Sequence, residues 1–190
     1  MKKILLIAAS ALLAVSAFAQ PKFAHVNTTE LIQFCPEMDK ARETMNAAQM
    51  EAQETFNDMQ TEFNTKLQTY QSKGSTWTEA TRQSKEKELT EIQQRLQEFS
   101  QTVQMELQQQ EQELMQPIYE KVNNVIQDLA KKGGYIFVFD ANNVLYLDAT
   151  QSHDLTPDAR KAMNIPADRT LEALAAELQA KQQAAAAAQQ

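Results

Sequence analysis

The sequence is poor in residues that break helices and in residues that cross-link chains. Its 190 residues include three glycines, five prolines and one cysteine. Gly74 is the only glycine before Gly133, so positions that favour a tight turn are few. The single cysteine, Cys35, excludes an intrachain disulfide framework. We expect Cys35 to be a buried thiol, with an intermolecular bridge or an exposed thiol as the alternatives.

Basic residues are also in deficit. The chain has 18 Lys and Arg against 25 Asp and Glu, for a formal net charge of −7. This balance argues against a nucleic-acid partner, which requires clustered cations, and against adhesion to an anionic membrane surface. A Gly-rich phosphate loop is missing, and His25 and His153 are too few and too far apart to predict a metal site. We therefore predict no catalytic residue, no metal and no cofactor.

Long apolar runs are missing except at the start of the chain. Lys2 and Lys3 precede an apolar run from Ile4 to Phe18, and Ala17-Phe18-Ala19 is a small-x-small site. This pattern predicts a signal peptide over residues 1–19, cleaved after Ala19. A run of about 15 residues is shorter than the roughly 20 that a membrane span needs, so the run favours a cleaved signal peptide over the alternative, a retained membrane anchor. Cleavage takes the net charge from −7 to −9 and places the mature chain outside the cytoplasm, with no stable membrane insertion.

Most of the remaining chain repeats apolar residues every three or four positions. One series runs from Met38 to Tyr70 and a second from Leu89 to Leu129, with Gln110 in its one gap. This spacing predicts two amphipathic helices that pack along one narrow seam. The seam is predicted to include Met45, Phe56, Met59, Phe63, Leu67, Leu96, Phe99, Val103 and Leu107.

A turn near residues 71–76 joins the two helices. Gly74 can take a positive φ there, and Thr76 to Glu79 has the pattern of a capping box for the second helix. Residues 37–131 are therefore predicted to form a long antiparallel coiled-coil hairpin, called the arm below, with a kink at Pro117. Such an arm cannot enclose the deep pocket that most enzymes use.

Short apolar segments flank the arm. Strands are predicted at 22–26, 135–140 and 144–147, and short helices at 28–34 and after Thr156. The last two strands are predicted to form a hairpin, because Asn residues accept the backbone of a tight turn. Its turn residues are Asp140, Asn142 and Asn143.

Three short strands make a marginal sheet, and open sheet edges invite further strands. The predicted fold class is therefore α+β and mostly helical, with the arm attached to a small β body that assembles between chains. The body comprises residues 20–36 and 132–165, and the Ala/Gln-rich tail, 166–190, is expected to be mobile because it has little to bury. The predicted oligomerisation residues are Phe23, Val26, Ile136, Phe137, Val138, Phe139, Val144, Leu145 and Tyr146.

The segment VFDANNVLY, from Val138 to Tyr146, resembles the V-x-D-A-N-x-V-x-Y strand pair of the Skp (OmpH-like) family of periplasmic chaperones. A strand ending in Val26-Asn27, a short helix, a long polar hairpin and Asp154-Leu155-Thr156 occur in the family's order. The resemblance covers roughly Phe23 to Met163. It implies a homotrimer in which three arms project from a shared β body, like the tentacles of a jellyfish.

The resemblance also implies an ATP-independent holdase in the periplasm. Such a chaperone binds unfolded outer-membrane proteins, its clients, between flexible arms and prevents their aggregation before membrane insertion. Diffuse client contacts are then expected along the arm seam. This chain is acidic where family members are usually basic, so no lipopolysaccharide site is carried over and client contacts are expected to be more apolar.

Two other functions compete with this interpretation. A structural or adaptor coiled-coil protein of the cell envelope, without chaperone activity, could use the same apolar stripes. An enzyme is a weaker alternative, because Asp140-Ala141-Asn142 has only the first Asp of the D-x-D motif found in phosphatases with an aspartyl nucleophile. We assign these residues to the turn and expect the protein not to be an enzyme.

Overall fold

The protein is mostly helical and contains one small sheet, as the sequence predicts. The computed structural model describes residues 21–188, so the predicted signal peptide and its cleavage site lie outside the described residues. A short 3-10 helix, Gly74–Thr76, separates the two longest helices. In chain order the other elements are β1 (Lys22–Val26), α1 (Thr28–Phe34), α2 (Pro36–Lys73), α3 (Glu79–Gly133), β2 (Tyr135–Asp140), β3 (Ser152–Asp154), α4 (Thr156–Ala162) and α5 (Leu171–Ala188).

Helices α2 and α3 run antiparallel, as polar contacts between them show. Lys121 of α3 contacts Glu37 near the start of α2 at 2.5 Å, and Lys66 contacts Glu88 at 3.3 Å nearer the turn. Every residue of the two predicted stripes is buried or half-buried, while most of the other positions of the two helices are exposed. The structure therefore confirms the helical hairpin, and the burial pattern is the one expected for the predicted seam. Pro117 lies inside α3, and the expected kink there stays a prediction.

The turn between the helices differs in detail from the prediction. Gly74 has φ −57°, which is ordinary right-handed helix, so the expected positive φ is wrong. The predicted capping box at Thr76 is also wrong, because the Thr78 hydroxyl accepts the hydrogen bond from the Thr81 amide at 3.3 Å. Thr78 directly precedes α3, where a side-chain oxygen can satisfy a free amide of the first helical turn. At the other end of α3, Gly134 has φ +67° and ends the helix.

The sheet has the strand order β2-β1-β3, and both neighbours of β1 are parallel to it. Phe23 pairs with Phe137 on one side and with Ser152 on the other. The predicted strand at 144–147 is absent from the described chain, and the third strand is Ser152–Asp154. The predicted hairpin between 135–140 and 144–147 is therefore wrong.

The reason lies in the contacts of the Asn142 turn. The Ala141 amide donates to the carbonyl of Val26 at 2.9 Å, so the chain leaves β2 beside the end of β1. The Asn142 side chain then donates to Asn27 Oδ1 at 2.8 Å. These bonds hold the turn against the β1–α1 junction, so the chain after the turn does not fold back to pair with β2.

The chain divides into two units by its internal packing. The described part of the first comprises residues 21–31 and 122–167, and that of the second comprises residues 32–121 and 168–188. In the first unit, α4 begins at Thr156, so Thr156 is the first residue of the helix instead of the residue before it. Asp154 Oδ1 accepts a hydrogen bond from the Thr156 amide at 2.8 Å. The buried apolar residues of the first unit include Ala24, Val26, Leu31, Val122, Leu155, Ala159, Met163 and Ile165.

Cys35 lies in the second unit, directly before α2. Its side chain is fully buried and its thiol donates to the Ile32 carbonyl at 3.3 Å. Burial raises the pKa of the Cys35 thiol above its ordinary value. The structure thus confirms the buried-thiol interpretation, and a thiolate nucleophile is disfavoured there.

The tail contains helix α5, which contacts α2 inside the second unit. Leu174 is only 6% exposed. Arg169 contacts Asp39 at 2.5 Å, and Lys181 lies 3.7 Å from Glu43. The expectation that the tail has little to bury is therefore wrong, because one leucine and two cations bind it to the acidic start of α2.

Replacing Leu174 by Ala should release α5 from α2. Removal of a buried leucine side chain costs about 2–5 kcal/mol. The exposed Lys181–Glu43 pair contributes little, so we expect the part-buried Arg169–Asp39 pair not to hold the helix alone. We expect amide hydrogen exchange in residues 171–181 to accelerate in the variant while the arm seam stays protected. Leu171→Ala is the matched control, since Leu171 is 60% exposed on the same helix. Equal protection in both variants would show that Leu174 does not anchor the tail.

Candidate functional site

One face of the sheet carries aromatic side chains that the chain itself leaves open. Phe23 and Phe137 stack with ring centres 6.4 Å apart, and Phe137 and Phe139 stack at 6.0 Å. Phe137 is 59% exposed and Phe139 is 41% exposed. Alternation along β1 places Ala24 and Val26 on the buried face instead. Three predicted oligomerisation residues, Phe23, Phe137 and Phe139, are thus brought together, whereas Val26 belongs to the core of the chain.

The other predicted oligomerisation residues fall into two groups. Ile136 is exposed and Val138 half-buried on β2. Val144 is half-buried, while Leu145 and Tyr146 extend into solvent in a segment that pairs with no strand of the described chain. Exposed large apolar residues in an unpaired segment, in the same unit as an open aromatic face, indicate a surface suited to association.

Asp140 is the centre of a polar network that joins β2 to the start of α1. Its carboxylate accepts from the Thr28 hydroxyl at 2.6 Å and from the Asn143 side chain at 2.9 Å. The Asn142 amide donates to it at 3.2 Å, and the Asn142 side chain also reaches Thr29 Oγ1 at 3.3 Å. The predicted turn residues therefore do form a turn, and they also tie together residues more than 110 positions apart in the chain.

The pKa of Asp140 is lower than its ordinary value of 3.8. Burial is the largest single influence and opposes ionisation, but the hydrogen bonds from Thr28 and Asn142 together outweigh it. Each of these bonds favours the charged form. The contribution of Asp140 to stability is therefore complete above pH 3.8 and is lost as the pH falls through the lower folded-state value.

Asp140→Asn should weaken the fold while leaving function nearly unchanged. Because the hydrogen bonds to a charged carboxylate are lost or inverted, we expect the free energy of unfolding in urea to fall by about 1–2 kcal/mol at pH 7. The difference from wild type should shrink as the pH falls below 3.8 and through the lower folded-state pKa, because the wild-type carboxyl then also becomes neutral. Loss of function in a variant of normal stability would reassign Asp140 to a ligand site.

The seam of the arm is only partly closed. Ile92 is buried, but the predicted seam residues Met45, Phe56, Met59, Phe63, Leu67, Leu96, Phe99, Val103 and Leu107 are all half-buried. Met50 and Met105 are exposed on the two helices of the arm. The arm thus presents a long row of apolar side chains at partial exposure.

Polar contacts close the end of the arm near the turn. Lys66 contacts both Glu88 and Glu62, Arg95 lies 3.7 Å from Glu62, and the Tyr70 hydroxyl donates to Glu86. Tyr70 also packs edge-on against Trp77, with ring centres 5.9 Å apart. Carboxylates at this end of the arm therefore have cationic or hydroxyl partners within the chain.

The sheet brings together a serine, a histidine and an aspartate, a grouping that the sequence does not indicate. His25 Nδ1 lies 2.9 Å from Ser152 Oγ, and His25 Nε2 lies 3.9 Å from Asp154. The second distance exceeds a hydrogen bond, so the carboxylate does not orient the imidazole as an activated serine requires. His25 and Ser152 are 127 positions apart, and only the parallel pairing of β1 with β3 brings them together.

Within residues 21–188, three or more His, Cys, Asp or Glu side chains nowhere come together as a metal site would require. Over the same range, the helices are too short in apolar sequence to cross a membrane.

Comparison with known proteins places these features in a family context. A family described as "Outer membrane protein (OmpH-like)" matches residues 22–163. A protein from Yersinia enterocolitica named "Chaperone protein Skp" is 32% identical over 151 residues, which is 78% of this chain and 90% of that protein. The protein of the same name from Photorhabdus luminescens is 33% identical over 150 residues, 77% of this chain and 90% of its own length.

A solved structure supports the same fold. The crystal structure of an OmpH-like protein from Caulobacter crescentus CB15 matches with a TM-score of 0.68 at 14% identity. The match covers 77% of this chain and 85% of that one. At this identity the likeness concerns the fold alone: helical arms on a small β body. The family match ends at Met163, so α5 lies outside it.

Proposed function

This chain belongs to the Skp (OmpH-like) family, and on that premise we propose that it is an ATP-independent holdase that keeps unfolded outer-membrane proteins from aggregating. The relatives are named chaperones, a role that involves no catalysis. The proposed place of action is the periplasm, where the predicted signal peptide would direct the chain. Capture and release would then depend on weak, reversible contacts alone.

The observation that carries the proposal is the half-buried seam of the arm. Client binding needs apolar side chains that are accessible yet do not cause the chaperone itself to aggregate. The seam residues meet this need, because each keeps part of its surface in water while the helix flanks are polar. Exposed Met50 and Met105 add flexible side chains that can adapt to different clients.

We further propose that the protein acts as a homotrimer, the number that the family resemblance implies. The open aromatic face formed by Phe23, Phe137 and Phe139 supports association, as do exposed Leu145 and Tyr146. A three-stranded sheet with one open apolar face is unfavourable in water. Burial of these rings between copies would make a shared β body and leave the arms free to surround a client.

The test is suppression of aggregation. A urea-denatured outer-membrane β-barrel protein is diluted into buffer with a threefold molar excess of the mature chain, and turbidity is followed over time. The holdase function predicts that the solution stays clear without ATP. An adaptor or spacer of the cell envelope would leave the turbidity at the level seen with an inert protein, and that result would reject the proposed function.

A further inference from the structure

A groove crosses the arm seam about midway along α2. It arises because α2 places the small side chains of Ala48 and Ala52 opposite the larger Phe99 and Val103 of α3. Its volume is about 240 Å³. Pockets for small molecules are usually about 300–1,000 Å³, so this groove suits one side chain of a larger partner.

The rim of the groove is acidic. Glu51 lies on α2 between the two alanines, three residues after Ala48, and Glu106 lies on α3 three residues after Val103. Residues three apart on a helix share a face, so both carboxylates border the apolar floor. Among residues 21–188, neither Glu51 nor Glu106 forms an ion pair or accepts a side-chain hydrogen bond.

Charge is distributed unevenly along the arm around this groove. Residues 43–65 and 96–120 contain ten Asp and Glu and no Lys, Arg or His. Residues 66–95, towards the turn, contain six Lys and Arg and four Glu, and there the carboxylates of Glu79, Glu88 and Glu91 pair with cations. The groove therefore lies where the arm offers unpaired negative charge and no competing cation.

We propose that this groove binds a lysine or arginine side chain of an unfolded client. The aliphatic stem would lie on the floor of Ala52, Phe99 and Val103, and the charged end would reach Glu51 and Glu106. Long basic side chains bury their stems on apolar surface while their charged ends stay at a polar rim. The inference rests on the proposed holdase function and names the kind of client segment that the arm prefers.

Two other occupants fit less well. A purely apolar side chain would remove water from two carboxylates without replacing their hydrogen bonds, which opposes binding. A metal ion would need a third ligand, and the described residues place no third His, Cys, Asp or Glu beside this pair. A cationic side chain with an apolar stem satisfies both the floor and the rim.

The experiment measures peptide binding to the full mature chain by fluorescence anisotropy. The probe is a fluorescein-labelled peptide of alternating Leu and Ser with three central Arg residues, and its comparator carries norleucine in place of Arg. The test variant is Glu51→Gln with Glu106→Gln. The matched control is Glu54→Gln with Glu111→Gln, which removes two exposed carboxylates of the same helices that do not border the groove.

We expect the test variant to raise the Kd for the Arg peptide by about three- to tenfold, the effect of losing two partly exposed ion pairs. The control variant should change it less than about twofold, since screened charges outside the groove contribute little. The norleucine peptide should bind both variants equally. Ala52→Leu, which fills the floor and keeps both carboxylates, should also weaken the Arg peptide.

Other outcomes would overturn the inference. Equal losses of affinity for the Arg peptide in the test and control variants would show that the peptide responds to the overall negative charge of the arm and not to the groove. An unchanged Kd in the test variant, or in Ala52→Leu, would show that the groove does not hold the cation. The turbidity assay separates this from the holdase function: clear solutions with an unchanged peptide Kd reject the groove alone, whereas turbid wild-type solutions reject the holdase alone.

Discussion

A chain that lacks residues 53–70 and 86–103 is expected to assemble normally and to lose most of its ability to keep an unfolded β-barrel protein in solution. The deletion removes the part of the arm that would enclose the client. It leaves the turn between the helices, the sheet and α4 unchanged.

The contacts between the helices define the matched segments. Glu62 lies beside Arg95, and Lys66 lies beside Glu88. Equal removal of 18 residues from each helix therefore keeps the partners aligned. Eighteen residues are five turns at about 3.6 residues per turn, so the apolar stripes rejoin in phase. The shortened arm should fold with its seam intact.

A client held by many weak contacts loses affinity steeply when a large share of them is removed together. We expect the chaperone concentration needed for half-suppression of turbidity to rise by about tenfold or more. A chain ending at residue 167, which loses the tail and keeps the arm, is the control and should suppress turbidity nearly as well as wild type. Full activity in the shortened chain would falsify the assignment of client binding to the arm.

Phe137→Asp is expected to dissociate the assembly without unfolding the chain. In the single chain Phe137 is exposed on the open face of the sheet, so aspartate is tolerated there. In the proposed trimer the same position is buried between copies, where an unpaired carboxylate costs several kcal/mol. Light scattering at about 10 μM should therefore report a monomer for the variant, because the free energy of burying the carboxylate is subtracted from the free energy of association.

Leu171→Asp supplies the matched control, since Leu171 is an exposed apolar residue of α5, which belongs to the second unit, whereas the sheet belongs to the first. It should remain assembled. Val138→Asp should act differently from both, because Val138 is half-buried on the opposite face of β2 and its replacement should destabilise the chain itself. A Phe137→Asp variant that stays assembled would remove the aromatic face from the interface.

The arm could be predicted because its signal is local. Every three or four residues an apolar side chain recurs from Met38 to Tyr70, and this periodicity requires no knowledge of distant residues. The end of α3 at Gly134 can also be predicted from the sequence, since glycine takes the left-handed backbone that stops a helix. The residue that caps the start of α3 cannot, because either Thr76 or Thr78 could accept the hydrogen bond.

The sheet could not be predicted in the same way. Ser152–Asp154 is a strand of three polar residues without apolar alternation, and it exists only because β1 lies beside it. Residues 144–147 have the apolar composition of a strand but lack a partner within the described chain. Pairing depends on contacts over more than a hundred residues, which local pattern does not carry.

The candidate site could likewise be predicted only in part. Asp140, Asn142 and Asn143 were predictable as turn residues, but their bonds to Asn27, Thr28 and Thr29 were not. Arg169 and Asp39, 130 positions apart, likewise connect the tail to α2 without any local signal. The groove beside Ala48 and Ala52 becomes visible only when the two helices are aligned.

In the proposed function, several copies of this chain hold one unfolded client between their arms. The most direct measurement is the mass of the complex by light scattering after size-exclusion chromatography of the mature chain mixed with a urea-denatured β-barrel protein. The proposed function predicts a single soluble species containing three copies of the chain and one client. A client that aggregates while the chain elutes alone with unchanged mass would contradict it.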